Sequence, residues 1–137
     1  MGIQNSNCAI LADRNAETSE GIRGLLESEF ESVYLVANLP SLTRGIENLR
    51  PQVVVLDQFV GPEAIQEILQ SVRALAPEFR LIVLVLYENS QIAESLLAAG
   101  ADAVVLKRRA GTDLFEALVA MENGIRYVSP GFRAVAL

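Results

Sequence analysis

Most groups in this chain that could do chemistry follow short apolar runs. CAILA (8–12) leads into Asp13 and Arg14, and VVVL (53–56) into Asp57. LIVLVL (81–86) leads to Tyr87 and Glu88, and AVVL (103–106) to Lys107, Arg108 and Arg109. Carboxylates near fixed cations can accept a transferred group, hold a hard divalent cation, or form a buried salt bridge. An acid ending a buried strand is costly unless it is partnered or used. Asp57 is therefore the residue to explain.

Several other chemistries fail on residue types. The 137 residues contain no histidine. That removes the commonest general base, any His-based zinc site, a Ser/Cys–His pair and a histidine ligand for cobalamin. The stretch after the first run, ADRNAETSEG, lacks GxGxxG, and no GxxxxGK[ST] loop occurs. The single cysteine, Cys8, lies in an apolar run and reads as a buried strand residue. A net charge of −6 makes this chain by itself a poor ligand for DNA or RNA. No apolar stretch approaches the ~20 residues of a membrane helix. MGIQNSN lacks the basic region and apolar run of a signal peptide. Its Gly2 and Ser6 fit a myristoylation pattern only superficially. A cytoplasmic location without membrane contact is expected.

The elements that must position these residues read clearly. The four runs above and VYLVA (33–37) are apolar without alternation. Such strands are buried on both faces, as in parallel α/β sheets. Between them, helical stripes occur at Ile22, Leu25, Leu26 and Phe30, with Asn15 as N-cap, and at Leu42, Ile46 and Leu49. Further stripes are Ile65, Ile68, Leu69, Val72 and Leu75, then Ile92, Leu96 and Leu97, then Leu114, Leu118 and Met121. Pro77 is expected to stop the third helix and Gly100 to cap the fourth, while Thr112 is expected to open the fifth. Five β–α units predict a flavodoxin-like, doubly wound, five-stranded parallel sheet of order 2-1-3-4-5 with five helices. Residues 7–128 form the expected domain, with a flexible tail at 1–6 and the start of a linker at 129–137. Ligands of such sheets bind beyond the carboxyl ends of the strands. Asp13, Arg14 and Asp57 should cluster there, with Lys107 reaching in from the fifth strand.

These residues resemble a response-regulator receiver domain, in particular the LuxR/NarL-type subfamily. The matching stretches are ILADRN (10–15), EGIRGLLES (20–28), LRPQVVVLD (49–57), AAGADAVVLK (98–107) and GIRYVSP (124–130). The resemblance implies that Asp57 occupies the position that accepts a phosphoryl group from a histidine kinase. It also implies an acidic pair after the first strand that holds Mg²⁺. Asp13 matches the first of that pair, but the second is Arg14. The Ser or Thr ending the fourth strand is Val85, and the small residue after it is Leu86. The aromatic residue that reports activation is Val104. The loop after the acceptor is VGPEA (60–64), about one residue shorter than the usual one. The fifth-strand lysine is kept as Lys107.

The expectation is therefore an atypical receiver that is not an enzyme and needs no cofactor. Arg14 is expected to occupy the metal position and pair with Asp57 or Asp13, although an arginine in such a loop can simply be solvated. Lys107 is expected to point at Asp57 rather than to begin a solvated basic run. Pairing is expected to lower the pKa of Asp57 against the effect of burial. Leu86, Phe59 and Tyr87 are expected to make the mouth of the site bulky and dry. Output would come from protein partners or a homodimer, through the first and fifth helices or the fourth helix–fifth strand–fifth helix face. DNA would be reached only through a helix-turn-helix region outside this chain. Two alternatives stand beside this: a working phosphoacceptor with Mg²⁺ on Asp13 and Asp57, and a small-molecule sensor.

Overall fold

The computed structural model describes residues 7–13, 20–57, 62–72 and 78–132. Its strands are β1 (Cys8–Asp13), β2 (Ser32–Val36), β3 (Val53–Asp57), β4 (Arg80–Val85), β5 (Ala103–Leu106) and β6 (Tyr127–Val128). The helices are α1 (Glu20–Glu27), α2 (Leu39–Leu49), α3 (Pro62–Val72), α4 (Ser90–Ala99) and α5 (Ala110–Glu122). A 3-10 turn, Lys107–Arg109, joins β5 to α5.

The strands form one all-parallel sheet of order β2-β1-β3-β4-β5-β6. The doubly wound order 2-1-3-4-5 is as expected, but the strand count is corrected from five to six. A two-residue strand has no period to read. It exists because the Tyr127 amide donates to Asp102 O and the Ser129 amide to Val104 O, which pairs the chain with the free edge of β5.

The unbroken apolar strands have the expected cause. Ile10, Ala12, Val54, Leu56, Leu81 and Val83 face a core covered by α2, α3 and α4. The alternate residues Ala9, Leu11, Val53, Val55, Ile82 and Leu84 face one covered by α1 and α5. Each fully buried Leu or Ile contributes about 1.5–3 kcal/mol of hydrophobic free energy.

The helix ends follow local chemistry. Asn38 and Asn89 accept from the amides of Ser41 and Ile92, capping α2 and α4. On α4 the buried residues are Ala93, Leu96 and Leu97, whereas Ile92, expected on the inner face, is exposed. Helix α5 starts before Thr112, because the 3-10 turn winds directly into it. The Thr112 hydroxyl instead bonds Arg109 O and the Asp113 carboxylate. Asn15 and Pro77 lie outside the described residues.

Gly100 ends α4 at φ 126°, and a Cβ there would meet the Leu69 Cδ1 at 2.3 Å. Gly24 sits inside α1 with open space around it. Thermal or denaturant melts should therefore show opposite signs. Gly100→Ala should lose about 1–3 kcal/mol, the cost of a backbone conformation reserved for glycine. Gly24→Ala should gain roughly 0.5–1 kcal/mol.

Candidate functional site

Asp13 and Asp57 end adjacent parallel strands and are direct register partners. Side chains that end β1 and β3 thus meet at the carboxyl edge of the sheet. Lys107 is the first residue beyond β5, and its Nζ lies 2.9 Å from Asp57 Oδ2. The lysine comes from two strands away and keeps a 17% exposed side chain, while Asp57 is completely buried. Asp13 is also buried.

The Asp57 carboxyl is shifted upward from its ordinary value. Burial is the main cause; Lys107 pulls it down, and the neighbouring Asp13 carboxyl pushes it up again. The expectation that pairing would win is corrected. One ammonium at the rim does not offset the complete loss of water, and a like charge in register adds to the cost. The contact with Lys107 is a close ion pair. Neither Asp57 oxygen has a well-aligned hydrogen bond among the described residues.

Arg14 and Phe59 lie outside the described residues, so neither the expected arginine pairing nor the expected phenylalanine wall can be located. Val85 ends β4 half-buried, and Val104 is fully buried in the core beneath α2, α3 and α4. These side chains carry no hydroxyl and no ring. Tyr87 is 77% exposed and Leu86 is also exposed. They do not close the mouth as expected, because β4 ends at Val85 and the chain turns outward after it.

The basic run divides its three charges among three acids. Lys107 takes Asp57, Arg108 takes Glu88, and Arg109 takes Asp113. Only the first of these pairs follows from the sequence. Asp113 is a fully buried carboxylate, and Ser129 is buried too. A signal for Asp113 did exist: it interrupts the inward stripe Ala110, Leu114, Ala117, Met121. An acid on a buried stripe requires partners. The Asp102 carboxylate accepts from the Leu81 amide at 2.8 Å.

The donor set suits one kind of metal. Asp13 and Asp57 offer hard carboxylate oxygens, and Mg²⁺ typically binds through one or two carboxylates together with phosphate oxygens and water. Among the described residues, no group of three or more His, Cys, Asp or Glu could enclose an ion. The pair therefore fits an open Mg²⁺ platform and not a closed cage, with the Lys107 ammonium competing for Asp57 Oδ2.

A raised carboxyl pKa has a definite sign in stability. The native state holds the Asp57 proton more tightly than the unfolded chain does. Its contribution is thus most favourable at low pH and is lost as pH rises above the ordinary value of 3.8. Asp113 is shifted downward and acts oppositely, so the difference between variants is the clean measurement. Asp57→Asn should raise the melting midpoint at pH 7.5 by about 4 °C, the shift expected for about 1 kcal/mol in a domain of this size. That gain should shrink towards pH 4.

Neither a family model nor a curated protein matches the sequence. Solved structures do. The isolated REC domain of RcsB from Salmonella enterica serovar Typhimurium, with the phosphomimetic BeF3⁻, has 25% identity and a TM-score of 0.75, covering 93% of this chain and 96% of that one. A LuxR-family two-component response regulator from Aurantimonas sp. SI85-9A1 has 26% identity and a TM-score of 0.76, covering 91% of each chain. RcsB seen as two dimers bound to two parallel DNAs has 26% identity and a TM-score of 0.75, covering 93% of this chain. This chain spans 65% of the length of that RcsB chain. Among the described residues no helix is long and apolar enough to cross a membrane. Sheet order, register at the carboxyl edge and these neighbours agree: the chain has the receiver-domain fold and is similar to the receiver domains of LuxR-family response regulators.

Proposed function

We propose that this domain is an atypical receiver that signals through protein contacts, largely without Mg²⁺-dependent phosphorylation. The observation that carries this reading is Asp57 itself, wholly buried, held by Lys107 and shifted towards its protonated form. A desolvated carboxylate already paired with an ammonium is a poor nucleophile and a poor metal ligand. Val85 supplies no hydroxyl for a phosphoryl oxygen, which forfeits about 1.5–3 kcal/mol for a bond to a charged group. Arg14 stands where the resemblance puts a metal-binding acid. Asp13, Arg14, Asp57 and Lys107 then act as a fixed charged cluster in place of a switch. In this reading the chain is a cytoplasmic, non-enzymatic module that controls transcription through partners or a homodimer. DNA is reached through another domain, as the DNA-bound RcsB dimers suggest by analogy.

One observation favours a working phosphoacceptor instead. Asp13 and Asp57 are in register, and Lys107 stands 2.9 Å from the acceptor. In that case Asp13 and Asp57 would hold Mg²⁺, and Lys107 would meet a phosphoryl oxygen donated by a histidine kinase. The bound ion would supply charge neutralisation of the transferring group.

Incubation with acetyl phosphate and Mg²⁺, read by intact mass with Asp57→Asn as control, separates the two. The expected wild-type result is no adduct, and a stoichiometric adduct on Asp57 overturns the proposal. If the departures at 14 and 85 cause the loss, Arg14→Asp combined with Val85→Thr should gain an adduct that the wild type lacks.

A further inference from the structure

The residues on both sides of Lys107 are tied to one buried carboxylate. On the C-terminal side, Arg109 Nε donates to Asp113 Oδ2 at 2.8 Å and Arg109 Nη2 to Oδ1 at 3.3 Å. On the N-terminal side, the Leu106 amide donates to Ser129 Oγ at 2.9 Å, and the Ser129 hydroxyl stands by Asp113 and helps hold its carboxyl pKa down. Thr112 adds a further hydrogen bond to the carboxylate, at 3.1 Å. Burial would raise the Asp113 carboxyl, yet these bonds together hold it below its usual value. It is therefore an ionised hub inside the fold.

From this geometry we infer that Asp113 and Ser129 are positioning residues that aim Lys107 at Asp57. A lysine side chain has four rotatable carbons and about 2 kcal/mol of rotamer entropy to lose. Its direction depends on the backbone that launches it. Here that backbone is a three-residue turn pinned at both ends, by Ser129 before Lys107 and by Asp113 after it. Ser129 follows β6 and belongs to the segment that leaves the sheet. That segment continues over the same edge, where Gly131 packs close to Leu106 and Glu88. The Arg126 guanidinium holds its near end, donating to Leu97 O at the end of α4 at 2.8 Å. The position of the exit segment and the aim of Lys107 are thus coupled, and the coupling is reciprocal. It needs neither a hydroxyl at 85 nor a ring at 104. The inference rests on the reading of Asp57 and Lys107 as the centre of the site, but not on whether Asp57 is phosphorylated.

Lys107 is the only lysine in the chain, which makes the test direct. The full chain is labelled with sulfo-N-hydroxysuccinimide acetate, without Mg²⁺ or phosphodonor, and acylation of Lys107 is followed by mass against the N-terminal amine. Asp57→Asn sets the rate of a released Lys107. Ser129→Ala should raise the wild-type rate by about fivefold, the factor equivalent to one net hydrogen bond of about 1 kcal/mol. Ser129→Thr should restore protection. Asp113→Asn should act like Ser129→Ala; if it does not fold, the serine pair decides. Gly100→Ala, destabilised at the other end of the sheet, should leave the rate unchanged. An unchanged rate in Ser129→Ala, or a matching rise in Gly100→Ala, overturns the inference. So does an unchanged rate in Asp57→Asn, because Lys107 would then not be held by its partner.

Discussion

The structure turns on a carboxylate that has lost its water. A parallel sheet covered on both faces delivers the end of β3 into a dry environment, and Asp57 is that end. An ammonium arriving from beyond β5 answers part of the resulting cost, a turn fixes where that ammonium can go, and a second acid in register adds to the cost. Desolvation is the largest influence on the carboxyl, so chemistry at this position starts from a reluctant anion.

Much of the fold was legible because its signals are repeated. Runs such as VVVL and AVVL cannot alternate and must be buried twice, and five of them separated by helical stripes leave few topologies. That logic also brings Asp13, Asp57 and Lys107 to one edge. Other features depend on sums or on single contacts that periodicity does not encode. The direction of the Asp57 shift depends on how completely its neighbours exclude water. The exposure of Tyr87 depends on β4 ending at Val85, although the apolar run continues to Leu86. Ser129 read as the opening of a linker, whereas its hydroxyl lies inside the packed body.

The basic triplet shows how misleading a charge run can be. KRR looks like a solvated surface patch, yet each side chain faces a different acid contributed by a different element. One pair serves the site, one joins the β4–α4 loop to the turn, and one anchors the start of α5. Of the three, only Arg108 with Glu88 is exposed on both sides, and such a pair contributes little stability by itself. Their value here is directional, because three adjacent residues cannot swap partners without moving the backbone between them.

The short strand β6 has a consequence of a different kind. Without it, β5 would present unpaired backbone groups along its length, a template on which another chain could add a strand. Two residues of parallel pairing, extended by the Ser129 amide on Val104 O, shield that row. The segment that carries the chain out of the domain is therefore also its guard against sticking. Any event that peels the segment away, whether truncation, cleavage or a partner's pull, would turn a solitary sheet into a self-associating one.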